Sequence, residues 1–322
     1  MEHLSLPSGG RMPVVGYGTW QANEEELEAA LEAALEAGYR HIDTASVYEN
    51  EHVIGRVLQR WINEDKLTRE DLFIVTKLPP IGTRPEGVEK YLNKSLEFLQ
   101  MDYVDLYLIH TPFALEDDKG FHPKDDDGKV ILDTTTDLEA IWKAMETQQQ
   151  EGKAKAIGVS NFNQSQLERL IATASSPLDC LQIELHAYFQ QNSLVQFCQD
   201  NNLPVCAYSP LASRGSIKLF DALGISKEMP DLFNNPVVVE MAEKYGKTAA
   251  QVLLRHIVQK GIAAIPKSTN PGRIRENIEI FDFELSEEDM DAMNALDRGD
   301  SARIIDFGFF NGLAEGHPEY PF

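Results

Sequence analysis

Four side chains that could hold or move charge close successive apolar stretches of the sequence. Asp43 ends YRHIDTA at its core, Tyr48 lies just beyond it, Lys77 sits in FIVTKL, and His110 follows VDLYLI. An unpartnered buried charge costs several kcal/mol. A carboxylate, a phenol, an ammonium and an imidazole brought to one place therefore read as a coupled network. Each alone has a plainer reading: Lys77 could run out to a rim, Asp43 could cap Ala45 or Ser46, and His110 could be a satisfied core histidine. Other chemistries fail on spacing. The eight histidines give no paired metal spacing, and Glu49 with His52 is better explained as a solvated helix start, so no metal site is expected. GYGTWQ (16–21) has Gln21 where a dinucleotide fingerprint needs its third glycine. Gly246-Lys247-Thr248 resembles the end of a phosphate loop, but Met241 stands at the first glycine. DDDG (125–128) would put Pro123 and Thr134 at ligand positions of a calcium loop.

The elements that must position the four residues alternate along the chain. Apolar runs at 14–18, 39–45, 73–78, 104–110, 154–160, 181–187, 204–210 and 263–267 are separated by helix-period segments such as 24–38, 85–99, 137–152 and 163–174. Asp137 and Asn163 stand at N-cap positions, and Gly38 and Gly152 at helix ends. Eight such alternations predict an α/β chain folded as a (β/α)8 TIM barrel, whose strand ends share one mouth. LSLPSGGRMPVV predicts an additional N-terminal hairpin plugging the base. Residues 112–136 and the tail after Ala295 do not fit the alternation and read as long substrate loops.

Composition bounds the partners. The 322 residues are 43% hydrophobic; length alone suggests two domains, but a barrel reaches about 250 residues as one, so a single barrel domain over 1–322 with two long loops is expected. With 52 acidic against 29 basic residues the net charge is −23, which argues against nucleic acid and anionic membranes. MEHLSLPSGG is not a secretory signal, and Cys180, Cys198 and Cys206 form no C-x-x-C pair; a cytoplasmic protein with reduced thiols is expected. A phosphate-bearing ligand would require a local basic cluster against this background.

GYRHIDTASVYENE (38–51), MDYVDLYLIHTP (101–112), GKAKAIGVSNF (152–162) and IPKSTNPGRIREN (265–277) are similar to signature blocks of the aldo-keto reductases, in the family's order and across essentially the whole chain. The resemblance implies a soluble monomer reducing aldehydes and ketones with NADPH. It implies that Asp43, Tyr48, Lys77 and His110 form the catalytic tetrad. Tyr48 would protonate the developing alkoxide, Lys77 would lower the pKa of that phenol, Asp43 would hold Lys77, and His110 would orient the carbonyl oxygen.

The same resemblance places NADPH/NADP+ across the mouth. Ser160, Asn161 and Gln182 would bond the carboxamide, Tyr208 would stack on the nicotinamide, and Thr19 would touch that end. Ser209, Leu211 and Ser213 would meet the pyrophosphate. Lys267, Ser268 and Arg273, at a helix start, would take the 2′-phosphate, and Glu276 and Asn277 the adenine. Two departures stand out: Thr111 replaces an aromatic beside the histidine, and Arg214-Gly215 replaces an acidic cofactor clamp, which puts a tight closing belt in doubt. Trp20, Val47, Thr111, Phe113 and Phe121, with the tail around Phe307–Leu313, would line the substrate pocket. The choice among sugar, aromatic and lipid aldehydes and ketosteroids stays open, with a slight lean toward small polar or promiscuous carbonyls. The rival reading is an NADPH-binding barrel with a structural or regulatory role and little turnover.

Overall fold

The computed structural model describes residues 2–117 and 120–322, and within them all side chains except those of 214, 218, 219, 314 and 315. Twelve strands occur among these residues: β1 (His3–Ser5), β2 (Arg11–Pro13), β3 (Tyr17–Gly18), β4 (His41–Asp43), β5 (Phe73–Leu78), β6 (Val104–Ile109), β7 (Ala114–Leu115), β8 (Leu132–Asp133), β9 (Ala154–Ser160), β10 (Leu181–Glu184), β11 (Val205–Tyr208) and β12 (Ala263–Ala264). Eight of them, β3-β4-β5-β6-β9-β10-β11-β12, pair in that order, all parallel. The sheet closes on itself: Gly16 N–H donates to Ala264 O at 2.9 Å, Ala264 N–H to Val14 O at 2.8 Å, and Gly18 N–H to Pro266 O at 3.1 Å. Gly18 is required at this seam, because a Cβ there would lie 2.9 Å from Ile265 O. The result is the (β/α)8 barrel that the alternation predicts.

Helices wrap the outside, and their ends follow the sequence signals. Asn23 accepts from Glu26 N–H, Asp137 from Ala140 N–H, and Asn163 forms a reciprocal box with Gln166. Gly38 and Gly152, with φ of 97° and 77°, follow the helices Glu24–Glu36 and Leu138–Gln150 in the left-handed region. The discarded motifs have structural employment. Gly246 ends the helix Pro236–Tyr245, while Thr248 caps the helix Ala249–Gln259 with Gln251. Asp125 Oδ1 accepts from the N–H groups of Asp127 and Lys129 in a turn.

Inside the barrel, Phe73, Val75, Leu106, Leu108, Ala156, Cys180, Cys206 and Ala263 pack together with Leu6 and Met12 of the β1–β2 hairpin, which plugs one end. This inner set fixes the mouth. Successive side chains on a strand face opposite sides. Lys77 therefore continues the inward row of Phe73 and Val75, His110 that of Leu106 and Leu108, Gln182 that of Cys180, and Tyr208 that of Cys206.

The two long segments meet each other over the mouth. β7 and β8 pair within 112–136, Val130 N–H donates to Asn311 O at 2.9 Å, and His317 Nε2 lies 2.8 Å from Asp133 O. Among the described residues no helix is long and apolar enough to cross a membrane.

Candidate active site

At the mouth Asp43 is 2% exposed and Lys77 fully buried. Lys77 Nζ donates to Asp43 Oδ1 at 2.6 Å and to Thr44 O at 2.8 Å. It also lies 5.2 Å from the centroid of the half-buried Tyr48 ring. Gln182 Nε2 takes the second Asp43 oxygen at 2.7 Å. The ring of His110 stands edge-on to Tyr48, 5.9 Å between centroids. The sequence-predicted quartet thus converges, with Lys77 behind the cavity wall and Asp43, Tyr48 and His110 on it.

The electrostatics set the charge states of the quartet, and Lys77 acts on Tyr48 in the expected direction. Burial depresses the Lys77 ammonium, but the oxygens of Asp43 and Tyr48 outweigh it and leave the pKa raised, so the cation persists. Burial pushes the Tyr48 phenol up; the Lys77 charge pulls it down without cancelling the rise, so the net shift is upward rather than downward. Burial, aided by the Lys77 charge, holds His110 well below its ordinary value, which keeps the imidazole neutral at pH 7.

Around the quartet lies a cavity of about 1110 Å³, beyond the usual range for a single small ligand. All thirteen residues expected to hold the cofactor face it, from Thr19 through Ser160, Asn161, Gln182 and Tyr208, along Ser209, Leu211 and Ser213, to Lys267, Ser268, Arg273, Glu276 and Asn277. Asn161, at φ 64°, ties three strand ends: its Nδ2 donates to His110 O and its Oδ1 accepts from Tyr208 OH at 2.7 Å. Gln21, Ser209, Ser213 and Phe307 also line the cavity with positive φ, a clustering of strained backbone at one site. Asn270 caps the helix Pro271–Ile278 by accepting from Arg273 N–H. Among the described residues neither Lys267 nor Arg273 is in an ion pair, although the chain carries −23. The side chain of Arg214, where the clamp is replaced, lies outside the described ones.

At the other end Trp20, Val47, Thr111 and Phe121 face the cavity, with Ile305, Phe307, Phe309 and Phe310 of the tail. Phe113 does not. It is fully buried behind that wall, its ring 5.1 Å from Phe307 and 6.1 Å from Phe310, because the tail folds across it. Leu313 is likewise buried away from the cavity. Two buried residues escaped the sequence reading. Asn50 donates to Thr19 O at 3.0 Å and so fixes the β3 end. Glu184 holds two tail amides, and its one sequence signal is its place two residues after Gln182.

Residues 14–298 match the aldo/keto reductase family. The chain belongs to that family. It is 42% identical to aldo-keto reductase family 1 member A1 of Cricetulus griseus, the match covering 98% of this chain and 97% of that protein. Prostaglandin F synthase 1 of Bos taurus is 39% identical over 100% of this chain and 97% of its own. The structure resembles the aldose reductase of Schistosoma japonicum, with a TM-score of 0.90 and 39% identity over 100% and 99% of the two chains. The chain is accordingly an oxidoreductase that acts on carbonyl groups with a nicotinamide cofactor.

Proposed function

We propose that this aldo/keto reductase reduces aldehydes and ketones to alcohols with NADPH, using Tyr48 as the general acid. The observation that carries the reading is the fully buried Lys77, held by Asp43 at 2.6 Å beside the Tyr48 phenol at the cavity wall. When bound, the cofactor supplies the hydride. Tyr48 gives its proton to the carbonyl oxygen, and Lys77 stabilises the phenolate left behind. Asp43, fixed on its other oxygen by Gln182, keeps Lys77 charged and aimed. Neutral His110 hydrogen-bonds the carbonyl oxygen and orients it.

Support for NADPH over NADH comes from the donor set at the far end of the cavity. Lys267, Ser268 and Arg273 gather where the capped helix Pro271–Ile278 begins, a place that favours phosphate. Ser160, Asn161 and Gln182 would hold the carboxamide, with Thr19 and Tyr208 against the nicotinamide. Ser209, Leu211 and Ser213 would hold the pyrophosphate, and Glu276 and Asn277 the adenine. We read the chain as one barrel domain, a cytoplasmic monomer with small carbonyl substrates and no nucleic-acid partner. The relatives' names include an aldose reductase and a prostaglandin F synthase, so sugar and lipid carbonyls both belong in the first panel. The test is consumption of NADPH with a panel of aldehydes and ketones. Cofactor binding without turnover on any of them would favour the non-catalytic barrel instead.

A further inference from the structure

The tail that walls the substrate end is seated on the barrel by one carboxylate. Glu184 ends β10 and is 2% exposed. Its Oε1 accepts from Ile304 N–H at 2.7 Å and its Oε2 from Ile305 N–H at 2.7 Å. His186 Nε2 lies 3.2 Å from Oε1. Just after these amides the chain enters a tight turn, with Phe307 at φ 59° and Phe310 N–H donating to Phe307 O at 2.9 Å. That turn presents Phe307, Phe309 and Phe310 to the cavity, whereas Glu184 itself is not on the wall. β10 thus sends two inward side chains to separate tasks: Gln182 to Asp43, and Glu184 to the tail.

We propose that Glu184 is a positioning residue that seats the tail and thereby sets the affinity for bulky carbonyl substrates, touching neither substrate nor cofactor. The inference rests on the reading of the mouth as a carbonyl-reducing site. A carboxylate is the side chain this seat requires, because it offers an acceptor to each of two adjacent N–H groups, and such charged bonds are the strong ones. Glutamine would accept from one amide and turn its NH2 toward the other donor, leaving a buried N–H unpaired.

The test is Glu184→Gln assayed with 4-nitrobenzaldehyde as a bulky probe and propanal as one too small to reach the aromatic wall. KM for 4-nitrobenzaldehyde should rise about tenfold. KM for propanal, kcat for both and the Kd for NADPH should stay within about twofold, a split that general destabilisation would not produce. Hydrogen exchange should quicken in 304–310 but not in β5 or β6. Ile304→Pro, which deletes one donor from the tail side at a residue that does not face the cavity, should give the same pattern and decides alone if Glu184→Gln does not fold. Unchanged tail exchange, or a KM that rises equally for both aldehydes or for neither, overturns the proposal. If the wild-type chain reduces neither aldehyde, the functional reading fails, and the exchange measurement still judges the seat.

Discussion

Gln182 and Asp43, 139 residues apart in sequence, are joined by a 2.7 Å hydrogen bond that leaves Asp43 with no free oxygen, since Lys77 occupies the other. The ammonium is fully buried and relies on this carboxylate and on Thr44 O. Removing one partner of a buried pair costs about 3–5 kcal/mol, because the other charge stays behind. Asp43→Asn should therefore lose stability of that order in urea unfolding, together with most of its turnover. Loss of turnover with wild-type stability would show that Asp43 is not what holds the Lys77 charge.

Tyr48→Phe keeps the ring and removes the proton. Reduction should fall by about 10²–10⁴-fold, the range typical of a lost general acid, while NADPH affinity stays near wild type. Substantial residual turnover would remove Tyr48 from its role. The pH dependence follows from the shifts. The phenol is raised by burial, so the acid form persists across neutral pH and reduction should show no loss there from Tyr48. Alcohol oxidation needs the phenolate and should climb into the alkaline range. Lys77→Met deletes the one charge that pulls the phenol down, so its alkaline rise should move to higher pH or disappear. An unchanged oxidation profile would contradict the tuning role of Lys77.

The barrel is legible in the alternation of short apolar runs with helix-period segments, and the quartet in the residues that end those runs or lie just beyond them. Once Phe73 and Val75 are inward, Lys77 must be. What escaped depends on contacts between distant segments. Phe113 reads as a pocket aromatic, but only the path of the tail decides that Phe307 and Phe310 stand in front of it. The direction of the Tyr48 shift escaped for a similar reason: the sequence announces the neighbouring cation, whereas the burial that outweighs it is a property of the packed mouth. Glu184 carries no motif of its own, since its partners are backbone amides about 120 residues away.

Acid should weaken the fold through histidines that are buried neutral. Burial holds His256 down at about 4, with its Nε2 2.9 Å from Asn294 Oδ1, and lowers His41 as well. Each depressed folded pKa means that the unfolded chain binds the proton first. The stability these groups contribute is complete above the ordinary imidazole value and is lost as pH falls toward the folded one. For His256 this amounts to about 3 kcal/mol between about pH 6.5 and 4. Urea-unfolding free energies measured over that range should decline, and His256→Gln should flatten the slope by up to ~1.4 kcal/mol per pH unit. A slope that the substitution leaves unchanged would mean that His256 titrates alike in both states.

In the proposed reading, the preference for NADPH over NADH turns on Arg273. Its backbone N–H is already committed to Asn270, so only the guanidinium is open to a ligand, and among the described residues no carboxylate holds it in an ion pair. A hydrogen bond to a charged group contributes about 1.5–3 kcal/mol, or roughly 10- to 100-fold in affinity. Arg273→Ala should therefore cut the NADPH/NADH selectivity by about that factor and leave the NADH Kd close to wild type, because NADH has no 2′-phosphate to lose. Lys267→Ala should act in the same direction and share part of the effect, since both cations would address one phosphate. Titrations of each dinucleotide against both variants check this. Equal weakening of NADPH and NADH would mean that the cluster supports the helix start rather than reading the phosphate.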